Sequence, residues 1–412
     1  MHPIRALSAK FDLPFKFWII ALIAFINAVS FTIIIPVLYP YAQKFGLNDF
    51  QASLLISGYA IAQFFATPIL GRLSDGFGRK PLLILSLVGT IVANLLASFT
   101  PVASLLFIAR ILDGLTGGNT SIATAIISDT VTPDHRAKAF GLFDAASRLG
   151  FVMGPAISYF AQLLPPAPGL TPLGMSFFAS AIMATVAIGL TMLLLEETLP
   201  QRQRFHFNWQ MFGLKEILES ARQPRLGRAF GLTFLNGFTF TIFAFAFQPF
   251  FLNILHQSAQ TLAIVFTFIG MVSVLTQIFV VDWVTKRFNL ANVLAVAIAG
   301  RALVFFLIPV FPILSVFIVL AGILGITNSF PMPLLNAILS NNSSEREQGK
   351  ILGINASYLS ISNALGPAVA GVLVSISYST PFWVAGGLTL ATATFALSLK
   401  SIVDCQRRRS VS

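Results

Sequence analysis

GLFDAASRLGFVMGP, residues 141–155, has a counterpart in GINASYLSISNALGP, residues 353–367. Gly141, Gly150, Gly154 and Pro155 in the first line up with Gly353, Ser362, Gly366 and Pro367 in the second, each 212 residues further on. Small residues at such spacing let helices approach closely, and proline bends them. The same signature twice in one chain implies an internal duplication, and the flanking sequence says of what.

The flanks are apolar. Mean hydropathy is +0.83 over 412 residues and only 10% of residues are charged, whereas a soluble domain carries about 25%. Apolar runs of roughly 20 residues recur, each long enough to cross a hydrocarbon core of about 30 Å as a helix. In lipid the backbone must satisfy its own hydrogen bonds, so such runs mean helices. Twelve are expected, near 17–40, 51–71, 81–99, 102–128, 139–164, 173–195, 229–253, 260–283, 290–309, 312–339, 351–377 and 380–400. The two signature stretches fall on the fifth helix of each half. The expected fold is therefore an all-α polytopic membrane protein, with twelve transmembrane helices in two pseudo-symmetric six-helix bundles.

The longest polar interval, 197–228, divides the chain into a first bundle (1–196), a cytoplasmic linker, and a second bundle with a short basic tail (229–412). In the linker Trp209, Phe212, Leu214, Ile217, Leu218 and Ala221 would form one face of a short interfacial helix. Of the 26 Lys and Arg, only Lys44 falls in an outer loop, and Arg110, Arg148 and Arg301 fall inside helices. That bias places both termini in the cytoplasm. The formal charge of +11 is spread as membrane anchors, for example Arg202, Arg204 and Arg407–Arg409, and calls for lipid headgroups rather than nucleic acid. No cleavable signal is expected at the start. The single cysteine, Cys405, and the histidines His2, His135, His206 and His256 make no metal cluster, and no cofactor is expected.

GRLSDGFGRK, residues 71–80, interrupts the apolar pattern. Gly71 and Gly76 have the spacing of a phosphate-binding loop. Phe77 and Gly78 stand where such a loop needs Lys and then Ser or Thr, and the flanks are not strand-like. A nucleotide site is excluded.

With these motifs in view, the sequence resembles the major facilitator superfamily, and within it the twelve-helix drug:proton antiporters of the tetracycline-exporter type. GRLSDGFGRKP is similar to the loop between helices two and three, matching at Gly71, Asp75, Gly78, Arg79 and Lys80. FIARILDGLTGG matches the helix-four motif at Arg110 and Gly114. SDTVTPDHRAKAFG, with Asp129, Pro133, Arg136 and Gly141, resembles the connection from helix four to five. Helix five carries the glycine–proline motif of exporters. The chain departs from the pattern at Ser158-Tyr159, where two glycines close that motif, and at Asp113, where glutamine is common. The second-half loop VVDWVTKRFNL keeps little beyond Lys286, Arg287 and Phe288. The resemblance implies that 71–80 is a cytoplasmic latch, with Asp75 near the start of helix eleven and Arg79 and Arg136 in pairing range of it. It also implies that helices one, four, seven and ten line a central cavity.

Charges at membrane depth cost about 2.5–3.5 kcal/mol each on insertion scales, so those present need a reason. Arg110 and Asp113, three apart, share one face of helix four. Asp144 and Arg148, four apart, share one face of helix five. Both pairs are expected in one polar patch of the first half, either as neutral locks or as proton-exchanging groups. Desolvation favours a neutral carboxylic acid and a neighbouring guanidinium favours the carboxylate, so changing access can load and release a proton. Asp113 is the first candidate and Asp144 the second. Arg301 has no carboxylate at matching depth. It joins Asn27, Asn236, Gln248 and Asn328 as an expected cavity group, with Phe240 and Phe247 as apolar lining.

The expected function is secondary active transport by a monomer in a bacterial inner membrane, exporting small hydrophobic or amphipathic compounds in exchange for protons. The alternative is a metabolite or sugar-type carrier of the same fold without proton antiport. An enzyme is not expected, because no nucleophile–base pair lies in the membrane.

Overall fold

In the computed structural model the described residues, 11–199, 201, 212–223, 226–343 and 347–399, form helices and no strand. The expected features at His2, Arg202, Arg204, His206, Trp209, Cys405 and Arg407–Arg409 lie outside them.

Twelve long helical segments follow the expected order. They are α1 (Phe15–Lys44), α2 (Asp49–Phe77), α3 (Arg79–Phe99), α4 (Ala103–Thr116 and Asn119–Thr130), α5 (Pro133–Leu163) and α6 (Gly174–Leu194). After a short linker helix (Leu214–Ala221) come α7 (Leu226–Asn253), α8 (Ala259–Arg287) and α9 (Leu290–Val310). The last are α10 (Leu314–Asn328 and Pro331–Asn341), α11 (Gln348–Ile376) and α12 (Thr380–Leu397). Ten are long and apolar enough to cross a membrane. The other two are α4, whose pieces are 14 and 12 residues long, and α5, which carries Asp144 and Arg148.

Four helices expected to be continuous are interrupted. α4 turns at Gly117–Gly118, where two poor helix formers meet. α10 turns at Ser329–Phe330, because Pro331 and Pro333 withhold the backbone donors that would join its halves. These breaks lie 212 residues apart, so the duplication includes them. α1 kinks at Ile34, just before Pro36. α8 widens into a π turn at Gln277–Val281.

Close packing divides the chain into two compact units. One comprises the described residues of Met1–Leu47, Gly58–Phe212 and Ala259–Thr267, the other those of Asn48–Ser57, Gly213–Ser258 and Phe268–Ser412. In the first, α1 packs on α5. The Thr32 hydroxyl donates to the Ala28 carbonyl (2.7 Å) on its own helix and the Gly150 carbonyl (3.2 Å) on the facing one. In the second, α7 packs on α11. Thr241 donates likewise to Gly237 (3.0 Å) and Ser362 (3.2 Å). A Cβ on Gly154 would run into the Thr32 hydroxyl, and one on Gly366 into that of Thr241.

The two seams differ in where the small residue sits. In the first, Gly150 leaves room for the Phe25 carbonyl, 2.6 Å from where its Cβ would be, and α1 supplies Ala28. In the second, Ser362 fills the place of Gly150 and donates to the Phe234 carbonyl (2.8 Å), while α7 supplies Gly237 to make space. The outer members of the signature are a correction. Gly141 and Gly353 have nothing within 4 Å of an added Cβ and take no part in close packing. Pro155 and Pro367 lie inside their helices as expected. Ser158, at the departure from the glycine pattern, is buried and bonds Ser176 of α6 at 3.0 Å.

Gly154→Val and Gly366→Val should therefore destabilise the fold by about 1–3 kcal/mol or more through overpacking. Thermal melting in detergent should show both variants melting early and Gly141→Ala and Gly353→Ala melting with the wild type.

Candidate functional site

Four polar centres stand out, three in the first unit and one in the second.

The 71–80 segment is almost all helix. α2 runs to Phe77 and α3 starts at Arg79, so Gly78 alone makes the turn, at φ +113°. A side chain there would be strained and would also meet the Glu197 carboxylate. Glu197, just beyond α6, accepts from the Arg79 N–H (3.0 Å) and the Lys80 N–H (3.3 Å). It thus supplies an anion to helix-start donors that lack intrahelical partners. Its own Thr198 and Leu199 N–H groups donate to the same carboxylate. Burial pushes Glu197 up, but these four backbone donors outweigh it and hold its carboxyl below the usual range. The neighbouring Glu196 is lowered by Lys16, 2.7 Å away.

Arg79 is buried and ties three elements together. Its guanidinium donates to Ser74 (2.7 Å) and Asp129 (2.9 Å) and pairs with Asp75. Lys80 donates to the Met192 carbonyl (2.9 Å). Gly71 makes only ordinary contact, with Ser121. Arg136 does not join Asp75. It donates to the Ser128 (2.9 Å) and Val131 carbonyls instead, closing the end of α4 where a cation is favoured.

The second centre is on the first piece of α4. Arg110 and Asp113 are both buried and bond at 2.8 Å. The guanidinium lies over the Tyr59 ring, 4.5 Å from its centroid, and its Nε has no partner. Gly114 lets α4 approach α2 at the Tyr59 carbonyl, where a Cβ would collide. Arg110 and Gly114 thus grip the same α2 residue, which is the physical content of their spacing. Gln63 donates to the Tyr59 hydroxyl (3.0 Å) and to the Gly117 carbonyl at the α4 break (3.0 Å). Thr90 of α3 lies beside the Asp113 carboxylate.

The third centre, Asp144–Arg148, is an i,i+4 pair at 2.7 Å with both side chains exposed. No hydrogen bond or ion pair joins it to Arg110–Asp113 among the described residues, so the expected single patch is two separate pairs.

The fourth is Arg301 on α9, fully buried. It reaches the Asn328 side chain at the α10 break (3.2 Å) and the Asn236 carbonyl and Thr239 hydroxyl of α7 (both 3.4 Å). The other expected cavity groups scatter. Asn27 accepts from Asn119 (2.9 Å), and Asn236 and Gln248 are buried with side-chain oxygens that lack partners. Phe247 is buried in a cluster with Phe243, Phe251 and Phe317 rather than lining an open space. Sequence reasoning missed Glu197, Tyr59 and Gln63. The Tyr59/Gln63 i,i+4 spacing carried a signal, whereas Glu197 lies in an aperiodic stretch and carried none.

Comparison with known proteins agrees with this fold. The family model for the Major Facilitator Superfamily matches residues 20–226 and 229–404. The class C tetracycline resistance protein of Escherichia coli is 29% identical over 384 residues, covering 86% of this chain and 88% of that one. Multidrug resistance protein 1 of Bacillus subtilis is 28% identical over 378 residues, covering 91% and 92%. A crystallised bacterial homologue of the human lysosomal transporter Spinster superposes with a TM-score of 0.72 at 16% identity, covering 96% of each chain. That likeness speaks for the fold alone.

Glu197 stabilises the α3 start only while ionised. Its folded pKa is depressed, so its contribution is present above the ordinary carboxylate pKa of about 4.3 and is lost as pH falls through the lower folded value. Melting temperature followed from neutral pH downward should drop less steeply in Glu197→Gln than in the wild type.

Proposed function

Because the chain belongs to the major facilitator superfamily, we propose that this multi-pass membrane transporter exports small hydrophobic or amphipathic compounds in exchange for protons. It works by alternating access in the inner membrane of a bacterium, with both termini cytoplasmic. The bundles span 1–196 and 229–412, joined by the linker. Export is supported by the full-length likeness to a tetracycline and a multidrug resistance protein.

The observation that carries proton exchange is the buried Arg110–Asp113 pair beside the α4 break. A carboxylate there has one cation and one hydroxyl for company, so any motion that admits water or moves Arg110 changes its proton occupancy. Discontinuous helices at corresponding positions of two repeats are where carriers of this kind place their sites. α4 and α10 are such a pair. One proton falling through about 100 mV releases roughly 2.3 kcal/mol, enough to hold about a 50-fold gradient of a neutral solute.

The Asp75–Arg79–Asp129 network, with Gly71, Gly78, Lys80 and Arg136, is assigned to the cytoplasmic latch. Contacts formed in one state only would bias it by about 1–3 kcal/mol. Asp144–Arg148 is a second proton-exchange candidate.

The second reading, a metabolite carrier without proton exchange, is favoured by the short Arg110–Asp113 bond, which would also serve a static lock. Purified protein in sealed vesicles separates the two. With an imposed acid gradient, the wild type should drive efflux of tetracycline or ethidium. Asp113→Asn should abolish the pH-driven part and Asp144→Asn weaken it. Gradient-driven flux unchanged in Asp113→Asn would overturn Asp113 as the exchanging group, and gradient-independent flux in the wild type would favour the second reading. A drug-sensitive host expressing the chain, screened over a compound panel, identifies the solutes.

A further inference from the structure

We propose that Arg301 is the anion-accepting group of the substrate site, so that the compounds carried include organic anions or zwitterions. This rests on the transport reading above and narrows it to a substrate class.

The intramembrane cations of the first unit have partners inside the chain. Arg110 meets Asp113 at 2.8 Å and Arg148 meets Asp144 at 2.7 Å. Those are the short contacts of charge-assisted bonds. Arg301 differs. No carboxylate pairs with it among the described residues, and its three acceptors are neutral oxygens at 3.2–3.4 Å. Its Nε has no partner at all. A guanidinium stays charged, and a buried charge without a counter-ion is costly unless something else supplies one. The described residues supply none, and a bound solute can.

The surroundings say what kind of solute. The acceptor that an incoming anion would displace is the Asn328 carboxamide, which is only half buried and ends the first piece of α10. The break beyond it frees Asn328 from a continuous helix and gives the site a way to open. Asn236, whose carbonyl Arg301 bonds, has an unpartnered side-chain oxygen, an acceptor for a hydroxyl or N–H next to the acid group. Phe305 lies one turn along α9, its ring 5.9 Å from the guanidinium, but it is fully buried and stacked on Phe243 and offers a solute no free face. An organic acid with a neighbouring donor meets the first two features.

The pseudo-symmetry adds a second argument. α3 (Arg79–Phe99) and α9 (Leu290–Val310) match end to end at an offset of 211, one less than at the seams, which puts Thr90, beside the Asp113 carboxylate, at the place of Arg301. Equivalent places in the two units therefore serve opposite charges: an acid is held in one, and an acid is lacking in the other.

Vesicles containing the full chain, loaded either with fluorescein, an aromatic anion, or with ethidium, a cation, test this under the same pH gradient. Wild-type protein should move fluorescein. Arg301→Gln should cut that flux by about tenfold or more, the loss expected when a hydrogen bond to a charged group goes, and leave ethidium flux within about twofold. Arg301→Lys keeps the charge without the fork and should retain part of the fluorescein flux, with KM raised more than kcat is lowered. If Arg301→Gln does not fold, the same KM shift in Arg301→Lys, for fluorescein alone, is the supporting result. Equal loss of both probes marks Arg301 as a structural tie among α7, α9 and α10 and overturns the proposal. So does fluorescein flux indifferent to both variants, or a wild type that moves ethidium alone, which would leave the transport reading standing. A wild type that moves neither probe nor any other solute refutes both.

Discussion

Two backbones held almost in touch are the constraint on which the rest of this structure depends. In lipid, apolar side chains gain nothing by leaving solvent for one another, so association rests on close packing and hydrogen bonds. At the α1–α5 seam a threonine hydroxyl reaches a carbonyl across a gap that only glycine leaves open. The α7–α11 seam repeats this with Thr241 and Gly366. α6 is attached to the first seam by further hydroxyls, Ser30 to Ser180 and Ser158 to Ser176. Widening either seam by one methyl group would detach the hydroxyl from its carbonyl and move every helix that packs behind it.

The seams also show how a duplication diverges without losing its geometry. Gly150 faces Ala28 in one unit and Ser362 faces Gly237 in the other, so the total bulk is kept while the bulky partner changes sides. Charge did not follow the same rule. Among the described residues the first unit keeps an acid and a base together on α4, and the second keeps on α9 a base with no acid paired to it. Packing is a mutual requirement of the two helices of a seam and must be kept in sum. A charge has no such partner constraint, and the halves were free to differ.

How much of this could be read from sequence depends on whether the signal was periodic. Hydropathy placed all the long helices, because a span is a property of some twenty consecutive residues. The 212-residue repeat pointed to Gly150, Gly154 and Gly366 but could not separate them from Gly141 and Gly353, which share the spacing and face open space. The breaks in α4 and α10 were visible as Gly117–Gly118 and Pro331, yet apolar flanks masked them. The polar centres were legible as residues and not as sets. Register fixed Arg110 with Asp113 and Asp144 with Arg148, since those pairs lie on one helix. It could not show that the two pairs stay apart, or that Glu197, outside any pattern, caps α3.

The π turn in α8 has a different kind of consequence. Its wide winding holds one more residue than an ordinary turn, with Ile278 and Phe279 exposed and the side-chain oxygen of Gln277 buried. Below it the helix ends in Asp282–Lys286 and in Arg287 over the Trp283 ring. Deleting one residue would wind the turn shut and swivel that whole terminus by about 100°, the angle one residue subtends. Here the heading of the terminal aromatic–basic cluster is encoded by the tally of residues above it, so losing a letter would re-aim the cluster while every one of its own side chains stayed the same.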